Sequence, residues 1–178
     1  MKTFLIITLG LLLSSCFQNK NIDQEFENPF AKLGGPFTLK SSQGDFALKS
    51  IDGQLGVLFF GYTYCPDICP NSLGFLAKTI KKLGKEEQTK MKGIFVSVDP
   101  KRDTPKRLQE YVGYFSPSFV GVTGSKEELD KIVKKYGTYY QLVEQKDSAM
   151  EYSVDHSGRF YLVTNQGKIL GTFTDRTP

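Results

Sequence analysis

At 178 residues, with 24% charged and 13% aromatic side chains, the chain has the size and make-up of one soluble globular domain with ample apolar material for a core. Its formal net charge of +4 comes from acidic and basic residues that alternate along the chain, and the absence of a basic stripe excludes the electrostatic footprint of a nucleic-acid binder. Three cysteines and one histidine are too few for a scaffold stapled by disulfides, which would spread its cysteines to close long loops.

Lys2 precedes an apolar and small-residue stretch from Phe4 to Leu13. That stretch is too short to cross a bilayer, which takes about 20 residues, and it matches the apolar core of a secretory signal. It ends in Leu13-Ser14-Ser15-Cys16, which resembles a bacterial lipobox, where the cysteine becomes the lipidated first residue of the mature chain. The expectation is a signal peptide over residues 1–16, lipidation at Cys16, and a domain anchored to a bacterial membrane outside the cytoplasm, in the periplasm or at the cell surface. A plain signal with a chance cysteine, or an uncleaved anchor, is the alternative. Removing the signal leaves about 160 residues and lowers the charge from +4 by one, through loss of Lys2. Residues 17–30, rich in Asn, Gln, Glu and Lys, read as a solvated tether, and residues 31–178 as the domain.

Pro36 to Lys40 and Phe46 to Ile51 flank Ser42-Gln43-Gly44, the pattern of a hairpin. Leu55 to Tyr62 is a continuous apolar run, as in a buried central strand. Leu73, Leu76, Ala77, Ile80 and Leu83 share one helical face. The charged tract Lys81 to Lys92 mixes both signs and reads as a solvated helix end and loop. Gly93 to Val98 is a second buried strand. Thr104-Pro105 then supplies an N-cap and a proline at the first helical position, ahead of Leu108, Val112 and Phe115 on one face; Asp103 joins Thr104 as a capping residue. Phe119 to Val122 is a short strand, and Ser125 and Glu128 have capping-box spacing before a helix carrying Leu129, Ile132, Val133 and Tyr136. Tyr139 to Val143 and Glu151 to Val154 form an added strand pair. Arg159 to Val163 and Lys168 to Phe173 close the chain as strands joined by Asn165-Gln166-Gly167. This alternation predicts an α/β fold, a central mixed sheet flanked by helices, with the first two long strands side by side in the sheet centre.

Cys65 and Cys69 sit four positions apart in GYTYCPDICP, between the first long strand and its helix, where open α/β folds place their sites. A bridge between them would close too small a loop to restrain the unfolded chain, so chemistry explains the pair better than stability. Pro70 suits the first helical turn, which puts Cys69 at or near the N-cap, where the helix dipole favours thiolate. Oxidised, the two sulfurs can close a redox disulfide; reduced, both can reach one ion. Two thiolates suit a soft ion such as Cu(I), with a third donor needed for a trigonal site. The single histidine, His156, lies in a loop entering a late strand that faces the cysteine loop in such a fold. Asp155 is a candidate to orient that ring, and Asp99 a candidate to tune the site. A closed structural zinc site would want four protein ligands, and three are at hand.

Four segments in order, GYTYCPDICP, VSVDPKRDTP from Val96 to Pro105, FVGVTG from Phe119 to Gly124 and VDHSGRFYLV from Val154 to Val163, resemble the SCO/SenC family over about Pro36 to Gly171. The resemblance implies a thioredoxin-like fold and copper bound as Cu(I) or Cu(II) by Cys65, Cys69 and His156. It further implies delivery to, or redox maintenance of, the dinuclear copper site of cytochrome c oxidase. The expected partner is therefore the copper-bearing subunit of that oxidase, or another copper acceptor protein, met by a monomer. The alternative is a thiol–disulfide reductase that keeps acceptor cysteines reduced, an enzyme rather than a metallochaperone. Two departures from the family pattern stand out. Thr164-Asn165 occurs where an acidic residue is commoner, and the usual last helix would follow Phe173, so that helix is absent or the sequence is truncated.

Overall fold

The computed structural model describes residues 29–175, apart from positions 147 and 149. The expected signal peptide, Cys16 and most of the tether lie outside the described residues. Among the described residues, no helix is long and apolar enough to cross a membrane.

A hairpin of β1 (Thr38–Ser41) and β2 (Gly44–Ala47) opens the domain and runs into a single 3-10 turn at Leu48–Ser50. The central sheet then builds outward from β3 (Leu55–Gly61) and β4 (Met91–Ser97), which pair in parallel over seven residues each. Both are buried almost end to end, which is why their sequences show apolar runs rather than alternation. With β5 (Val120–Val122), β8 (Phe160–Val163) and β9 (Ile169–Phe173), they form a five-stranded sheet of order β5-β4-β3-β8-β9. The β3–β4–β5 half is parallel, and β8 and β9 return antiparallel. The mixed sheet and the central placement of the two long strands agree with the sequence reading.

Successive side chains of β3 face opposite sides of the sheet. Phe59 meets Phe95 and Phe160 on one side, where Phe75 and Tyr111 extend the cluster, while Phe60 meets Tyr136 and Tyr161 on the other. The first of those faces is covered by α1 (Ile68–Lys82) and α3 (Pro105–Phe115), which touch each other. Two crossovers running the same way along a parallel sheet put their helices on one face. Thr104 caps α3 by accepting the Arg107 N–H, with Pro105 in the first turn. The capping box of Ser125 and Glu128 is complete at α4 (Lys126–Lys135).

Three details depart from the sequence reading. The tract Lys81–Lys92 contains a further short helix, α2 (Lys85–Thr89), with no buried residue. Asp103 does not cap α3; it is fully buried and bonds elsewhere. The added pair, β6 (Tyr140–Glu144) and β7 (Tyr152–His156), forms a separate two-stranded sheet. There β7 runs two residues further than expected, so that His156 ends a strand instead of lying in a loop.

Candidate metal centre

The cysteine loop leaves β3 at Gly61 and enters α1 at Ile68. Asp67 occupies the N-cap of α1 but makes no side-chain cap bond. The vacant capping role falls to sulfur, since the Cys69 N–H donates to Cys65 Sγ at 3.4 Å. Unpaired amide protons at a helix start favour negative charge, so the loop geometry itself draws a thiolate to Cys65.

Across the cleft, Tyr152, Val154 and His156 share the inward face of β7. His156 Nε2 comes to 3.3 Å from Cys69 Sγ. The ligand atoms of Cys65, Cys69 and His156 all lie within 4.8 Å of one another, and both thiols are free. All three residues are buried, Cys69 wholly so and the other two nearly so. The imidazole stands nearly perpendicular to the rings of Phe59 and Tyr62, with centroids 6.0 and 5.8 Å away. Its Nδ1 lies 3.3 Å from the Ser157 carbonyl oxygen. With copper bound, a proton on Nδ1 donated to that carbonyl would leave the Nε2 lone pair for the metal.

The two thiols are pushed in opposite directions. A hydrogen bond from Cys69 holds the Cys65 thiol far below the ordinary thiol range against the cost of burial, with His156 and the Cys69 and Asp67 amides helping. Burial pushes the Cys69 thiol up, and the neighbouring Cys65 adds to that. A cation that displaced the shared proton would meet two thiolates and one neutral imidazole, a soft donor set. Cys65 and His156 line a groove of about 370 Å³ walled by Tyr62, Ile68, Tyr139 and Val154. Ile68 and Tyr139 are exposed at its rim, so the site has a route in.

Gly61 is what lets Cys69 turn inward. A Cβ at that position would come 2.4 Å from Cys69 Sγ and 3.0 Å from the Phe95 ring. Gly61→Ala is therefore expected to destabilise the fold by about 1–3 kcal/mol, the usual range for overpacking, with the sulfur displaced. A urea midpoint indistinguishable from the parent's would show that the loop yields freely.

The remaining expected residues fall differently. Asp155 is exposed on the outward face of β7, and the neighbour at Nδ1 is the Ser157 carbonyl. Asp99 is buried in a neighbouring cluster, where it pairs with Arg102 and accepts the Tyr152 hydroxyl at 2.7 Å. Burial, followed by that carboxylate, pushes the Tyr152 phenol up to about 12. Two contributors escaped the sequence reading. Asp103 accepts the Thr63 amide (2.9 Å), the Thr63 hydroxyl (2.5 Å) and the Ser97 hydroxyl (2.7 Å), and so staples the cysteine loop to the end of β4. Arg102 stacks 3.7 Å from the Tyr152 ring centroid. The only sequence signal for either is the density of charge in DPKRD directly after a buried strand.

The SCO1/SenC family model matches residues 26–178. The chain is 41% identical over 150 residues to the mitochondrial protein SCO1 homolog 1 of Arabidopsis thaliana. It is 37% identical over 139 residues to the mitochondrial protein SCO2 of Saccharomyces cerevisiae. These alignments take in 82% and 78% of this chain but 44% and 46% of the relatives, so the chain spans under half their length. Among solved structures, copper-bound ScoI of Arabidopsis thaliana superposes with a TM-score of 0.74 at 38% identity, covering 82% of this chain and 89% of that one. BsSco, a member of the Sco family of cytochrome c oxidase assembly proteins in which a disulfide switch was identified, gives a TM-score of 0.63 at 28% identity, covering 84% and 87%. With the family model matched over residues 26–178 and curated relatives at 37% and 41% identity, this chain belongs to the SCO1/SenC family.

Proposed function

We propose that this domain is a copper metallochaperone. It holds Cu(I) or Cu(II) on Cys65, Cys69 and His156 and hands it to an acceptor protein, in the first instance the subunit bearing the dinuclear copper site of cytochrome c oxidase. One observation carries this reading: two sulfurs and one imidazole nitrogen, from segments 87 residues apart, lie within one coordination sphere of each other. Copper in ScoI of Arabidopsis thaliana supports the choice of ion. The rimmed groove supports transfer by ligand exchange, because an incoming donor can reach Cys65 and His156 from one side. The protein acts as a monomer held outside the cytoplasm by lipid on Cys16.

The second reading, a thiol–disulfide reductase acting on acceptor cysteines, is favoured by the lowered Cys65 thiol and by the disulfide switch in BsSco. It needs the same thiols but not the imidazole. Titration of the reduced protein with Cu(I) and Cu(II) tests the first reading. One equivalent of each is expected, with a thiolate-to-Cu(II) absorption band that Cys65→Ser and Cys69→Ser each abolish. Copper uptake that ignores both substitutions would turn the assignment toward the reductase.

A further inference from the structure

The strand that ends in His156 belongs to a sheet of only two strands, which shares no backbone pairing with the main sheet. Tyr152 and Val154 pack into the core and the Tyr62 hydroxyl bonds the Val154 backbone, which leaves the start of β7 to be tied down. The structure assigns that task to Arg102, and we propose that it is a positioning residue for His156, clamping β7 onto the turn after β4; the proposal rests on the copper site described above.

The contacts converge from three directions. Arg102 Nη1 donates to the Tyr152 carbonyl at 3.0 Å and to the Met150 carbonyl at 3.2 Å, which grips the β7 backbone where the strand begins. Its Nε pairs with the buried Asp99 carboxylate, and the other oxygen of that carboxylate receives the Tyr152 hydroxyl at 2.7 Å. The guanidinium plane lies over the Tyr152 ring, with Tyr64 at 4.8 Å and Tyr62 at 5.5 Å beside it. Tyr62 and Tyr64 lie in the cysteine loop just before Cys65, and the Tyr62 ring stands nearly perpendicular to the His156 ring. One side chain therefore ties the end of β4, the cysteine loop and the histidine strand together. Tyr152 and His156 lie on the same face of β7 at a separation of four residues, so holding the first sets the second. A planar fork that bonds and stacks at once is a property of arginine that lysine lacks.

The two copper states should feel the clamp unequally. Cu(I) can be retained by two thiolates, whereas Cu(II) calls on the harder imidazole. Groups that orient metal ligands are worth about 10–100-fold in affinity. For Arg102→Lys we expect Cu(II) affinity to fall about tenfold or more, a larger fall than for Cu(I), with faster amide exchange at Val154 and His156 in the copper-free protein and unchanged exchange at Val57 and Ile94. Tyr152→Phe removes a single oxygen and keeps the ring, so it should repeat the pattern more weakly; it decides the matter if the lysine variant does not fold. Equal losses for both ions, or Cu(II) affinity at the parent value in both variants, would overturn the clamp. A parent that binds no copper overturns the metal reading instead, so the two failures cannot be confused.

Discussion

Replacing His156 by alanine is expected to weaken Cu(II) binding about 100-fold or more and to bleach the thiolate-to-Cu(II) band. Disturbing a group that merely orients a ligand already costs about 10–100-fold, and here a ligand itself is lost; 100-fold corresponds to roughly 2.8 kcal/mol. The ring has little other duty. It donates no bond on which the main sheet depends, and apart from Cys69 Sγ it meets the Phe59 and Tyr62 rings and one carbonyl. Cu(I) should be lost to a smaller degree, because its affinity rests on two soft sulfurs. Competition titrations with both ions read this difference directly. An intact Cu(II) band in His156→Ala, together with undiminished disulfide-reducing activity, would favour the reductase.

The second large effect concerns stability. Asp103 is 0% exposed and gathers three donors, two from Thr63 and one from Ser97. Thr63 Oγ1 also receives the Arg107 Nε at 2.9 Å, which extends the chain of bonds onto α3. Removing this buried acceptor leaves three neutral donors without their partner, each at about 1–3 kcal/mol, so a total of about 3–5 kcal/mol is expected. Asp103→Ala should lower the unfolding free energy by that amount in urea. Thr104→Ala, which removes only the N-cap oxygen of α3, should cost about 1 kcal/mol. The pair of variants separates two roles that adjacent residues could have shared. Equal, small costs would mean that Asp103 is a capping residue after all.

How far the fold could be read in advance depended on where physics is local. The apolar runs of β3 and β4 announce buried parallel strands because no face of either meets water. Thr104-Pro105 and the Ser125–Glu128 spacing announce helix starts because caps are made by neighbours in sequence. The cysteine pair is equally local: its spacing, its loop and Pro70 place it at a helix start without reference to the rest of the chain. His156 required a long-range argument, namely that the late strand faces the cysteine loop. The placement held even though the residue ends a strand rather than sitting in a loop. In DPKRD, by contrast, periodicity does not say which charges turn inward. Asp99 and Asp103 are buried, and Arg102 largely so, because partners some 40 to 50 residues away receive them: Thr63 on one side, Met150 and Tyr152 on the other. Asp155 shows the opposite case, since strand alternation sends it to solvent once His156 points in. The lipobox expected at Cys16 lies outside the described residues and remains an expectation from sequence.

The proposed function turns on one coordination sphere, so the most direct measurement counts the atoms in it. X-ray absorption on the copper-loaded, reduced protein should find two sulfur neighbours in both oxidation states. Both forms should also show an imidazole nitrogen with its outer-shell scattering, more prominent for Cu(II), and that nitrogen should vanish in His156→Ala. A Cu(II) spectrum with its imidazole intact in that variant, or with fewer than two sulfurs in the parent, would contradict the assignment of Cys65, Cys69 and His156 as the copper ligands.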